Sequence, residues 1–169
     1  MRRAFSVLLI AVVAAFTLAA CGGSDDEAPP TKAEYKQEYT ALNKELSAVA
    51  VAVRKAVNGS AGKSNKQLEE SFGEVAKAMQ GITDDFDDVT PPDDGTIASD
   101  HAKLVQSLGA FADDLEAIST AAGKNDLKAA GVAAARLRQA DAAIGQPKAA
   151  LDKTLGVTPP RRPAADNER

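Results

Sequence analysis

Three long segments of the chain repeat apolar side chains at alternating steps of three and four residues. The three sets are Tyr35, Tyr39, Leu42, Leu46, Val49, Val53 and Ala56; Leu68, Phe72, Val75, Met79, Ile82, Phe86 and Val89; and Ile97, His101, Leu104, Leu108, Phe111, Leu115 and Ile118. These steps bring each set onto one side of an α-helix, whereas the side chains of a strand alternate by two. The pattern therefore predicts three amphipathic helices and an all-α protein.

Short stretches of helix-breaking residues separate these segments. Asn58–Gly62 follows the first segment, Thr90–Gly95 follows the second, and Ala122–Asp126 closes the third and supplies a helix N-cap. A fourth segment keeps the helical period less regularly through Leu127, Ala130, Ala134, Leu137, Ile144, Leu151 and Leu155. Pro147 interrupts this segment, and because proline lacks a backbone N–H we expect the fourth helix to be kinked or split there.

The short loops also indicate how the helices are ordered. Long helices joined by short loops become antiparallel neighbours, so residues 32–155 are predicted to form an up-down-up-down four-helix bundle. An intermolecular coiled coil would use the same apolar spacing, but loops this short at three places favour the closed bundle.

The first twenty residues have the layout of a secretory signal peptide. Arg2 and Arg3 precede the apolar stretch 4–20, which ends in small residues. A permanent membrane span needs about 20 apolar residues, and the polar sequence after Cys21 cannot extend this one. We expect residues 1–20 to be removed.

The only cysteine of the chain directly follows this signal, in the sequence Leu18-Ala19-Ala20-Cys21. This sequence resembles the lipobox of bacterial lipoproteins. The resemblance implies diacylglyceryl transfer to the Cys21 sulfur, cleavage before Cys21, and a lipid anchor on the extracytoplasmic face of the cell membrane. The alternative is an ordinary secreted protein with an unused cysteine. Residues 21–31 are then the lipidated cysteine and a flexible tether, and residues 156–169 are predicted to be a disordered tail.

The charge of the mature chain limits its partners. After removal of residues 1–20 the chain carries 18 Lys and Arg against 24 Asp and Glu, a net charge of about −6. This balance argues against nucleic-acid binding, which requires a basic face. It also argues against broad adhesion to anionic lipid, which leaves membrane attachment to the acyl anchor.

His101 is the only histidine, and it occupies a position on the third apolar stripe. In the predicted bundle it lies at the same end as Tyr35, Tyr39 and Asp141, so a polar network of His101 with a tyrosine hydroxyl or with Asp141 is expected. The histidine is then either a packed structural residue or a contact for a ligand.

The sequence predicts no cofactor, no metal site and no catalytic residue. Met79 and His101 would be offset by about 7 Å along the bundle axis, too far for two axial ligands of one haem iron. Ferritin-type iron sites need paired Glu-x-x-His motifs, and the chain has one histidine. No serine lies in a Gly-x-Ser-x-Gly turn, and acylated Cys21 offers no thiol.

The densest run of charge is Asp84-Asp85-Phe86-Asp87-Asp88, followed by Asp93 and Asp94. Aspartates at the end of a helix oppose its macrodipole, which weak binding of a divalent cation would offset. The EF-hand spacing is absent, so solvated acids are the simpler interpretation. Asp93 and Asp94 suit the start of the third helix.

The mature part is similar to small helical lipoproteins of high-GC Gram-positive bacteria, through Thr90-Pro91-Pro92, His101 and the Leu-rich third helix. That group implies the helical fold and supplies no mechanism. We expect a membrane-anchored, non-enzymatic helical bundle that binds a partner protein or an envelope component. The alternative is a bundle that binds a small hydrophobic or cationic molecule at the His101 end.

Overall fold

The computed structural model describes residues 28–158. The signal peptide, Cys21, most of the tether and the tail from residue 159 lie outside the described residues. Four helices make up the described part: α1 Lys32–Asn58, α2 Asn65–Asp87, α3 Gly95–Gly123 and α4 Leu127–Leu155. They pack against one another, and residues 28–158 contain no strand, so the all-α bundle predicted from the apolar spacing is confirmed.

Capping side chains fix where the helices begin. Thr31 and Ser64 each form a capping box with the residue three positions later, Glu34 and Gln67. Asp94 accepts hydrogen bonds from the first backbone N–H groups of α3, and Asp126 does the same for α4. The end of α4 is set by Gly156 in the left-handed conformation, with φ of 62°, which glycine adopts without strain.

Two hydrogen bonds between helices join the early turns of one helix to the late turns of another. Tyr39 near the start of α1 bonds Asp152 near the end of α4, and the carbonyl of Glu69 near the start of α2 accepts from Ser119 near the end of α3. Such contacts are compatible with an up-down-up-down order, which stays a prediction. The start of α1 and the end of α4 therefore share one end of the bundle with the α2–α3 loop.

The core consists of the predicted stripes. All seven stripe residues of α3, His101 included, are buried, as are most of those of α1 and α2. The stripe of α4 is predicted less well. Its buried residues are Ala133, Leu137, Ala140, Pro147, Leu151, Asp152 and Leu155. Leu127 is 80% exposed, because the first residue of α4 lies at the end of the bundle, where no neighbouring helix covers it.

The helix α4 is unbroken from Leu127 to Leu155, so the expected split at Pro147 is wrong. Proline removes one backbone hydrogen bond, but the helix continues on both sides and the ring is buried. Burial of the ring against the core offsets the lost bond. A kink at Pro147 stays a prediction.

Candidate functional site

His101 lies in the second turn of α3 and reaches across the bundle to α1. Its side chain is buried, with 6% of its surface exposed, and its Nδ1 is 2.9 Å from the hydroxyl oxygen of Tyr35. The two rings meet edge to face at a centroid distance of 5.7 Å. The structure thus brings together His101 and Tyr35, two of the residues expected in a polar network.

The burial of His101 controls its charge. Removal from water lowers the pKa of the imidazole below its usual value, although the Asp87 carboxylate and the Phe86 carbonyl favour the protonated ring. The ring is therefore neutral at neutral pH. In the neutral ring one nitrogen donates and the other accepts, so the direction of the hydrogen bond between Nδ1 and the Tyr35 hydroxyl depends on the tautomer.

Tyr39, one turn after Tyr35, ties α1 to α4. Its hydroxyl donates to Oδ1 of Asp152 at 2.8 Å, and Nζ of Lys148 donates to Oδ2 of the same carboxylate at 2.7 Å. All three side chains are largely shielded from water, and burial raises the pKa of both tyrosines well above the usual value. Tyr39 is therefore a hydrogen-bond donor at every physiological pH.

Asp141, which the sequence predicts as a network member, is not part of this arrangement. Its side chain is exposed, and the carboxylate that meets a tyrosine belongs to Asp152. Eleven residues are close to three helical turns, so the two aspartates lie on the same side of α4, separated by about 16 Å along the axis. The i,i+4 spacing of Lys148 and Asp152 was the available signal.

The aromatic rings at this end leave little free space between the helices. Tyr35 and Tyr39 stack with centroids 6.1 Å apart, and Phe86 meets Tyr39 edge to face at 6.2 Å. Both tyrosines and Phe86 are almost fully buried. The interior around His101 is thus filled by side chains.

A groove lies on the outer side of His101, between α3 and the α2–α3 loop. It is an open surface groove of about 460 Å³, and its walls include Asp87, Val89, Thr90, Pro91, His101 and Gln106. The lining combines one carboxylate, a hydroxyl, an amide and the edge of the imidazole with apolar surface from Val89 and Pro91. Such a lining suits a small molecule or a side chain that carries both apolar and polar or cationic groups.

The aspartates of the acidic run lie at the C-terminal end of α2, and their side chains are exposed. Asp84, Asp85, Asp87 and Asp88 face solvent, while Asp94 accepts from the N–H groups of Thr96 and Ile97 at 2.9 and 3.2 Å. Asp94 is therefore the predicted N-cap of α3. Over residues 28–158, no three side chains of His, Cys, Asp or Glu are arranged to hold a metal ion. Weak cation binding by the exposed aspartates stays a prediction.

Asp114 and Arg136 form a further tie between helices that the sequence analysis did not single out. Nε of Arg136 in α4 donates to Oδ1 of the buried Asp114 in α3 at 2.8 Å. The position of Asp114 next to Leu115 of the apolar stripe could have indicated a buried charge. The sequence did not indicate its partner, because Arg136 lies 22 positions away on another helix.

Comparisons of the chain with protein-family models, with curated proteins and with solved structures found no match. None of the helices in the part of the chain that the structure describes is long and apolar enough to cross a membrane.

Proposed function

We propose that this protein is a lipid-anchored, extracytoplasmic binding protein without enzymatic activity, which presents a helical bundle to a partner protein or to a component of the cell envelope. The observation that carries the proposal is the position of α1 relative to Cys21. The helix begins at Lys32, directly after the predicted tether of residues 21–31. A short tether followed at once by a packed bundle suits a module displayed at a membrane surface.

The same observation limits how far the start of α1 can lie from the membrane. Thr31 lies ten positions after Cys21, and an extended chain spans at most about 3.3–3.6 Å per residue. The first turn of α1 therefore stays within about 35 Å of the lipid surface. Both ends of the described chain lie here, since Nζ of Lys36 donates to the carbonyl of Gly156 at 3.2 Å.

A binding role is favoured over catalysis because the buried titratable side chains of residues 28–158 are engaged with one another. The buried amide of Asn43 is an exception among the polar groups, since neither its oxygen nor its nitrogen has a hydrogen-bond partner there. Tyr35 pairs with His101, Tyr39 with Asp152, and Asp114 with Arg136. Each pair joins two helices, which is how polar groups stabilise a bundle. A catalytic acid or base needs instead to reach a substrate atom directly.

The groove beside His101 favours a second candidate function, the binding of a small molecule. The groove is open to solvent, and Asp87 supplies a carboxylate for a cationic group beside the apolar surface of Val89 and Pro91. The ligand would be small, partly apolar and cationic. A side chain of a partner protein with the same chemistry would fit equally well.

The anchor is tested by replacing its cysteine. We expect Cys21→Ala to abolish the incorporation of labelled fatty acid and the cleavage before residue 21, because no other thiol is available for acylation. The measurement is metabolic labelling followed by intact-protein mass spectrometry, with wild type as the control. Equal incorporation of fatty acid by the variant would contradict the lipoprotein assignment.

Binding is tested by isolation of the protein from intact membranes, with mass spectrometry of both proteins and small molecules in the eluate. A specific protein or envelope polymer is the expected result. Thr90→Lys places a long cationic side chain in the groove, and Ala110→Lys on the exposed side of α3 is the matched control. A small molecule lost only with Thr90→Lys would favour the second candidate over the first.

A further inference from the structure

The charges of the bundle are divided between two pairs of helices. Residues 65–123, which comprise α2, α3 and their loop, carry 13 Asp and Glu against 3 Lys and Arg. The helices α1 and α4 together carry 10 Lys and Arg against 5 Asp and Glu. The helices α2 and α3 thus form an acidic pair and α1 and α4 a basic pair, a division that the net charge of the whole chain does not show.

The two signs are also separated around α1. Glu34, Glu38 and Glu45 follow one another at steps of four and seven, which places them on one side of the helix. Lys36 and Arg54 are eighteen residues apart, five full turns, and share the opposite side. Lys36 contacts the end of α4, so the basic side of α1 is the one toward α4.

The α4 helix continues this basic surface. Its exposed or half-exposed cations are Lys128, Arg136, Arg138, Lys148 and Lys153. Arg136 is paired with Asp114 of α3 and Lys148 with Asp152, which leaves Lys128, Arg138 and Lys153 without a carboxylate partner within residues 28–158. Of the two carboxylates of α4, Asp152 is buried in the contact with Tyr39 and Lys148, which leaves Asp141 as the exposed one. We call the exposed surface formed by α1 and α4 the basic side, and that formed by α2 and α3 the acidic side.

The predicted tether permits two orientations of the bundle at a membrane. The first turn of α1 is held within about 35 Å of the lipid, and α1 itself, with 27 residues, is about 40 Å long. The bundle can therefore stand on its end or lie along the surface. The anchor alone does not select between these orientations, but an anionic lipid surface does, because it attracts the basic side and repels the acidic side.

We propose that the anchored bundle lies with its basic side, α1 and α4, against anionic lipid, and turns its acidic side outward. The proposal rests on the lipid anchor of the proposed function. The groove beside His101 is formed by α3 and the α2–α3 loop, so this orientation leaves it open to a partner. It also revises the expectation, drawn from net charge alone, that the surface of the mature chain does not attract anionic lipid.

The orientation is measured on the full-length lipidated protein in vesicles. Because Cys21 is the only natural cysteine and is acylated, one introduced cysteine provides a unique site for a fluorescent label. Val51→Cys labels α1 between Lys44 and Lys55, and Ala110→Cys labels α3; both residues are exposed. A quencher attached to lipid headgroups reports which label lies at the surface.

In vesicles of phosphatidylglycerol and phosphatidylcholine, we expect the label at position 51 to be quenched at least about twofold more than the label at position 110. In pure phosphatidylcholine the two labels are expected to be quenched equally. High salt is expected to remove the difference in anionic vesicles, because it screens exposed charges. Equal quenching of the two labels in anionic vesicles at low salt would overturn the proposal. An acidic protein would then be the alternative partner of the basic side.

Matched charge variants test whether the location of the removed cations matters or only the total charge of the protein. Lys44→Gln with Lys55→Gln removes two cations from the basic side, and Lys66→Gln with Lys77→Gln removes two from α2. The first pair is expected to weaken the difference in quenching, and the second to preserve it. If both pairs weaken it equally, the basic side is not the surface that meets lipid. Failure of the anchor would be distinct, because the protein would then leave pure phosphatidylcholine vesicles altogether.

Discussion

At the scale of single residues, His101 shows how a polar group can occupy an apolar stripe. The sequence places it among Ile, Leu and Phe, and the structure pairs it with the buried hydroxyl of Tyr35. A buried hydroxyl without a partner costs about 1–3 kcal/mol, whereas replacement of both partners by apolar groups is nearly neutral. The stability effects of His101 and Tyr35 are therefore expected to be coupled. Single and double variants of the two residues are needed to measure this coupling.

We expect His101→Leu to lower the free energy of unfolding by about 1–3 kcal/mol, since it leaves the Tyr35 hydroxyl unpaired. The double variant His101→Leu with Tyr35→Phe is expected to recover most of this loss. Urea unfolding of the wild type, the two single variants and the double variant provides the measurement. A double variant as unstable as the sum of the single variants would show that the hydrogen bond does not couple them.

The same histidine is expected to make stability depend on pH. Its pKa is lowered in the folded protein, mainly by burial, so the unfolded chain binds the proton more readily. Its contribution to stability is complete above the unfolded pKa of about 6.5 and is lost as the pH falls through the folded value. The difference in unfolding free energy between pH 8 and pH 5 should therefore be smaller in His101→Leu than in wild type. Equal pH dependence in the two proteins would mean that His101 is accessible to water.

At the scale of secondary-structure elements, the four helices and their breaks follow closely from the sequence. The second and third predicted breaks contain the N-caps of α3 and α4, Asp94 and Asp126, whereas the cap of α2, Ser64, lies two residues after the first break. The apolar spacing marks the buried side of α1, α2 and α3. In α4, alanines supply most of the apolar character, so the apolar spacing is a weak guide to which residues are buried. It did not predict the exposure of Leu127 or the continuity of the helix through Pro147. The sequence analysis also chose Asp141 as the aspartate of α4 in the polar network, three turns before Asp152, which contacts Tyr39. The apolar spacing does not fix how two helices are aligned along their axes.

Asp152 and Asp141 provide a matched test of that alignment. We expect Asp152→Asn to lower the free energy of unfolding by about 1–3 kcal/mol, because the Tyr39 and Lys148 hydrogen bonds lose their charged acceptor. Asp141→Asn, on the same side of α4 but exposed, should change it by less than about 0.5 kcal/mol. Thermal and urea unfolding of both variants measures the difference. Equal effects of the two substitutions would contradict the contact between α1 and the last turns of α4.

At the scale of the whole molecule, the bundle ought to fold without the segments that precede and follow it. Its core draws buried side chains from all four helices, and Thr31 and Gly156 supply the caps at its two ends. Helices of this length gain most of their stability from such packing rather than from intrinsic propensity. The anchor and the tail are therefore expected to serve attachment and not folding.

We accordingly expect a fragment of residues 28–158 to be soluble, mostly helical and cooperatively unfolding, with one transition seen by both far-UV circular dichroism and tyrosine fluorescence. Tyr35 and Tyr39 are the only tyrosines and both lie in the core, so their fluorescence reports packing between α1 and the other helices. Coincident transitions would show that α1 unfolds together with the rest of the bundle. An earlier tyrosine transition, with most of the helical signal retained, would instead show that α1 detaches from a stable unit of α2, α3 and α4.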